Sequence, residues 1–176
     1  MHNWLFTTTE LINSQIKMLS ILIIPCLLIA TGAQAWAYTN PESFNQQFTQ
    51  QQLIACVVTC YFISLLFFII IGSRKGFNKH GLWVAIPLLT IGSYLTFYST
   101  KKIGIDRTFF GEQLGTLEGK DHETSFPFSL NHCMYKGELL IVFGFWSLFY
   151  HSKELTFVTC SWICLLLIQM YIESPQ

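Results

Sequence analysis

The chain has 176 residues, 52% of them hydrophobic, and its ten basic and ten acidic residues cancel to a formal net charge of zero. Only 11% are charged, against roughly 25% in a soluble domain, and whole windows hold no charge at all. That excludes an ordinary soluble globular domain and points to a membrane protein, while the charge balance gives no reason to expect nucleic acid or another polyanion as partner.

Residues 1–17 are mildly amphipathic, with Trp4, Leu5, Leu11, Ile12 and Ile16, and read either as an interfacial segment or as an extension of the first helix. Met18–Ala37 is the first apolar run. Small residues follow its core as in a secretory leader, but the long leading region with a single Lys17 favours a retained membrane helix. The short tract Asn45–Gln52 is glutamine-rich and reads as a hydrated helix entry. Leu53–Gly72 is the clearest span, at about the ~20 residues that cross ~30 Å of hydrocarbon. Leu82–Tyr98 is shorter and interrupted by Pro87 and Gly92. Met134–Tyr150 and Thr156–Ile172 follow, joined by His151-Ser-Lys-Glu-Leu155, a link short enough to force an antiparallel hairpin. Trp36, Tyr38, Trp83, Tyr94, Tyr98, Tyr135 and Tyr150 fall mostly towards the segment ends, where interfacial aromatics belong.

The expected fold is an all-α integral membrane protein: one domain over residues 1–176, with four to five transmembrane helices, a hydrophilic cap loop at 99–133 and a C-terminal helical hairpin. Five spans would put the cap loop and the end of the last helix on one side, so that His132 and Glu173 share an aqueous phase. Lys and Arg then divide five against five between the two sides, and the positive-inside rule gives no orientation.

Five of the six cysteines lie inside apolar runs, where cysteine acts as a small hydrophobe; Cys133 is the exception. Cys56/Cys60 and Cys160/Cys164 each share a helix face, but zinc sites usually use tighter loop spacings, and no metal is expected. The cap loop carries Gly104, Gly111, Gly115 and Gly119 without a phosphate-cradling pattern, and the chain has no HExxH or GxSxG motif. The stretch "SFPFSLNHCMYKGELL" places Asn131, His132, Cys133, Tyr135, Lys136 and Glu138 at the mouth of a hydrophobic run. Polar groups there are costly unless they are paired or used. By its residues alone, Asn131 could cap the helix beside His132, Gly92 could serve helix packing, and Lys101 and Lys102 could anchor at phosphate level.

Five short motifs follow one another in order. They are Pro87-Leu-Leu-Thr-Ile-Gly92, Ile103-Gly-x-x-x-Thr-Phe-Phe-Gly111, Phe126-Pro-Phe128, Met134-Tyr135-x-Gly137 and Tyr171-Ile-Glu173-Ser174. In this order and spacing, residues 82–174 resemble the phospholipid N-methyltransferases, closest to the plant-like type that methylates phosphatidylethanolamine derivatives. The wider group includes the isoprenylcysteine carboxyl methyltransferases. The resemblance implies S-adenosylmethionine as cofactor, membrane lipids as partners, and an endoplasmic reticulum or inner mitochondrial membrane as setting. Carried over by motif position, Gly92 would give the cofactor room, His132 and Tyr135 would line its pocket, and Glu173 would bind a cationic or hydroxylated part of it. A proton must also leave the acceptor amine, and His132, Glu138 or Glu112 could take it.

The chain departs from the family pattern at Arg107, Cys133 and Glu138. These changes suit an alternative role, a catalytically silent homologue built into a larger membrane complex with other subunits. A pairing of Arg107 with Glu138 would then fill the pocket.

Overall fold

A computed structural model describes residues 2–118, 125–150 and 152–174, without the side chains of 2–9, 11–13 and 17. Gly119, Lys120 and His151, with the side chains of Trp4, Leu5, Leu11, Ile12 and Lys17, lie outside the described residues.

The described residues form seven helices: α1 (His2–Thr39), α2 (Pro41–Asn45), α3 (Gln50–Lys75), α4 (Leu82–Ile103), α5 (Ile105–Thr108), α6 (Cys133–Phe149) and α7 (Lys153–Ile172). Four of them hold stretches long and apolar enough to cross a membrane: Ser14–Thr39, Gln50–Lys75, Leu82–Ile103 and Lys153–Ile172. The chain is an integral membrane helical protein. α6 has 17 residues, or about 26 Å at 1.5 Å per residue, the low end of what spans a bilayer. α1 is continuous from residue 2 to residue 39 despite Pro25.

Local chemistry sets the helix ends. Thr49 and Gln52 form a capping box at the start of α3, each side chain satisfying a backbone donor at the exposed helix start. α4 runs five residues beyond its apolar stretch, to Ile103, with Lys101 and Lys102 in its last turn, where cations oppose the helix dipole. It ends at Gly104, whose φ of 90° is open to glycine. Ser152 caps α7 by accepting from the Leu155 amide at 3.3 Å. At the N-cap of α6 stands His132, not Asn131; His132 has left-handed backbone (φ 54°) and makes no side-chain cap.

The chain therefore has a cap end and an opposite end. At the opposite end the Asn78 amide donates to Leu148 O at 2.9 Å, and Lys75 pairs with Glu154 at 3.6 Å. A core of Ile23, Leu27, Phe68, Ile71, Val158 and Leu166 ties α1, α3 and α7 together. A smaller cluster at the cap end joins Ala37, Phe44, Leu53, Phe110 and Leu114.

Two polar side chains at the cap end also have structural roles. Gln50 is buried (8% exposed). Its amide donates to Asp106 O (2.6 Å) and Phe109 O (3.2 Å), so Gln50 clamps the cap onto α3, while the rest of the tract 45–52 is exposed. Lys102 donates to Ser125 Oγ and, at 3.4 Å, to Phe126 O, tethering the returning segment to the end of α4.

Candidate functional site

α6 carries the site, and its two faces differ. Towards α4 it presents Gly137 and Gly144, seven residues apart. A Cβ on Gly137 would lie 2.8 Å from Gly92 O, and one on Gly144 would lie 2.8 Å from Leu89 Cγ. Gly92 answers from α4: a Cβ there would lie 2.6 Å from Gly137 O. Small residues of this kind let membrane helices approach to backbone contact. Gly92 therefore sits in a closed helix seam, and it does not line the cavity described next.

The other face of α6 borders a cavity of about 550 Å³ at the cap end, within the size range of small-molecule sites. Tyr135 and Glu138 line it from α6 and Glu173 from the end of α7. Gln34 and Tyr38 reach it from α1, Tyr61 from α3, and Arg107, Phe109 and Phe110 from the cap. Three of the residues singled out in the sequence thus converge on one space.

Hydrogen bonds fix this wall. The Tyr135 hydroxyl and Gln169 Nε2 both donate to Glu173 Oε1. Burial pushes the Glu173 carboxyl above its ordinary range, and these two donors pull it part of the way back. His132 lies beside this wall but does not line the cavity. Its Nε2 is 3.2 Å from Ser174 Oγ, and that hydroxyl donates to Met170 O at 2.7 Å. Ser174 has one proton and spends it there, so Nε2 of His132 is the donor in their shared bond. The left-handed turn at His132 directs the ring to the end of α7.

The three departures from the family pattern are also placed. Arg107 pairs with Glu112 at 2.6 Å, not with Glu138. Both ends of that pair belong to the cap, and the cavity beside it stays open. Cys133 is buried, its sulfur 3.2 Å from Ser99 Oγ, so it contributes to the α4–α6 contact. Glu138 borders the cavity. Among the described residues, no group of three or more His, Cys, Asp or Glu could hold a metal ion.

Sequence reasoning missed Gln34, Tyr38 and Tyr61. A usable signal existed for two of them: Gln34 and Tyr61 are polar groups within apolar spans, where an unpaired polar atom is costly. They satisfy each other, the Tyr61 hydroxyl donating to Gln34 Oε1 at 3.2 Å.

Residues 81–176, more than half of the chain, match the family model for phospholipid methyltransferases. No curated protein and no solved structure matches the chain.

Proposed function

The chain belongs to the phospholipid methyltransferase family, and from that premise we propose that it methylates the amine of an ethanolamine phospholipid, phosphatidylethanolamine or a methylated derivative, with S-adenosylmethionine as donor. The observation that carries this reading is the convergence of Tyr135, Glu138 and Glu173 on one cap-end cavity.

The donor set suits the cofactor. S-adenosylmethionine presents a cationic sulfonium, an aminocarboxylate and a flat base. The cavity offers two carboxylates, the Arg107 guanidinium and aromatic walls from Tyr38, Tyr61, Phe109 and Phe110. Glu173, held by Tyr135 and Gln169, is the residue for a cationic or hydroxylated part of it. When bound, the cofactor supplies an electrophilic methyl group on sulfur.

The protein's own task is alignment, dehydration and proton removal. With a pKa near ~10, like that of lysine, an ammonium headgroup is neutral about one part in a thousand at pH 7, a cost of about 4 kcal/mol. An apolar wall lowers that pKa by desolvating the cation. Glu138, one turn inside α6, is the group for the departing proton. Glu138 would take the ammonium proton first, freeing the nitrogen lone pair for the methyl group that the bound cofactor would supply. His132, tied to Ser174, acts as a positioning residue that fixes the end of α7 beside Glu173.

The test uses purified protein with labelled S-adenosylmethionine and unmethylated, monomethylated and dimethylated ethanolamine phospholipids. Methyl incorporation into at least one of them is expected. No incorporation into any, together with no cofactor binding by calorimetry, would overturn the proposal and leave the structural-subunit role.

A further inference from the structure

A second space lies deeper in the bundle. It has a volume of about 200 Å³ and is walled by Phe62, Leu65 and Phe68 of α3, Val142 and Phe145 of α6, and Trp162 of α7. Two residues belong to both spaces: Tyr61 and Glu138 line the deeper pocket as well as the cap-end cavity. The two therefore meet at one carboxylate, polar above and apolar below. Phe62 is 66% exposed, so the pocket wall extends to the lipid-facing surface of α3.

An aromatic pair forms part of the wall: Trp162 stacks on Tyr61 with ring centroids 6.0 Å apart. Apart from Glu138 and the Tyr61 hydroxyl, every side chain named here is apolar or aromatic. A lipid acyl chain suits such walls, and the exposed side at Phe62 faces the bilayer from which it would enter.

We infer that this pocket between α3, α6 and α7 is the binding site for one acyl chain of the acceptor lipid, placed so that the lipid's amine stands at Glu138. The inference rests on the methyltransferase reading for the identity of the headgroup, but the chain site stands on its own geometry. Charge complementarity fixes the direction of binding: a cationic amine belongs at the carboxylate junction, and its chain has only the apolar space to enter. Part of that space comes from α3, which lies outside the family-matching residues 81–176. Discrimination between chain lengths is thus shared between the amino-terminal half of this protein and its family-matching helices.

Binding is read without turnover. A phosphatidylethanolamine with brominated acyl chains, added at near-stoichiometric amounts to the protein in unbrominated detergent, should quench Trp162. The difference between the native protein and Trp162→Phe isolates that signal. Val142→Phe fills the pocket from α6 and should abolish the quenching, and Leu65→Phe does the same from α3 in case the first variant does not fold. In the methyl-transfer assay, the same variants should shift the kcat/KM ratio of long-chain to dihexanoyl acceptors by about tenfold towards the short chain, the equivalent of roughly two buried methylenes. Native protein that methylates lipid but shows no quenching of Trp162 overturns the chain site and leaves the methyltransferase reading intact. Saturable quenching of Trp162 without methyl transfer to any acceptor supports the chain site and sinks the methyltransferase reading.

Discussion

The two faces of α6 are built on opposite rules. Towards α4, Gly137, Gly144 and Gly92 bring two backbones together so closely that a single methyl group has no room. Towards α3 and α7, Tyr135, Glu138, Val142 and Phe145 border open space. One face buys rigidity with the absence of side chains, and the other leaves room in which side chains can act. A glycine in a pocket motif can therefore serve the pocket by holding its wall in place, without touching what the pocket contains.

The sharpest way to break this comparison is on the open face. Glu138→Gln keeps the shape and removes the proton acceptor. It should lower methyl transfer by about 10²–10⁴-fold, the usual worth of a general base, while the protein still elutes as a folded species. Activity within a few-fold of native would remove Glu138 from the chemistry.

On the closed face the expected loss is in stability. Gly137→Ala would force α4 and α6 apart, a cost of about 1–3 kcal/mol for overpacking, measurable as a lower unfolding temperature in detergent. Gly92→Ala should behave alike, because its Cβ would meet Gly137 O at 2.6 Å. Unchanged unfolding with weakened cofactor binding in either variant would return these glycines to the pocket.

A smaller effect sharpens the role of the wall. Tyr135→Phe removes a donor to Glu173, and a hydrogen bond to a charged group contributes about 1.5–3 kcal/mol. The Glu173 carboxyl is raised by burial, so its charge is gained above the ordinary glutamate range. Calorimetric affinity for the cationic cofactor should accordingly strengthen as pH rises through that elevated range. Loss of the Tyr135 donor should move the rise to still higher pH, and Glu173→Gln should flatten it. The stability contribution runs the other way, since a carboxyl raised in the folded state loses stability as pH climbs from its unfolded value through its folded one. The smallest effect is at the opposite end: Ser152→Ala removes the α7 cap at a cost of about 1 kcal/mol, with kcat unchanged.

Much of the fold was legible because hydrocarbon imposes a simple pattern. Each apolar run had to become a helix, since no other local structure satisfies its backbone in lipid, and all five runs did. Their ends were less legible. α4 extends five residues past its apolar stretch to Ile103 because lysines are compatible with a helix end, and hydropathy registers only the membrane interior. The site was half legible. Tyr135, Glu138 and Glu173 reach the cavity, whereas His132 stands beside its wall and Gly92 on the far side of α6. Spacing along the chain does not say which way a helix is turned.

The sequence by itself determined a chain of membrane helices, a hydrophilic cap and a family resemblance over its carboxy-terminal half. All three are local in character, set by hydropathy and by motifs a few residues long. Only the tertiary structure decided that Gln50 clamps the cap, that Arg107 pairs with Glu112, and that Tyr61 from the first half meets Glu138 from the second. Separation along the chain does not dictate those contacts: packing rotates each helix to fit its neighbours, and that rotation chooses which side chains share a space.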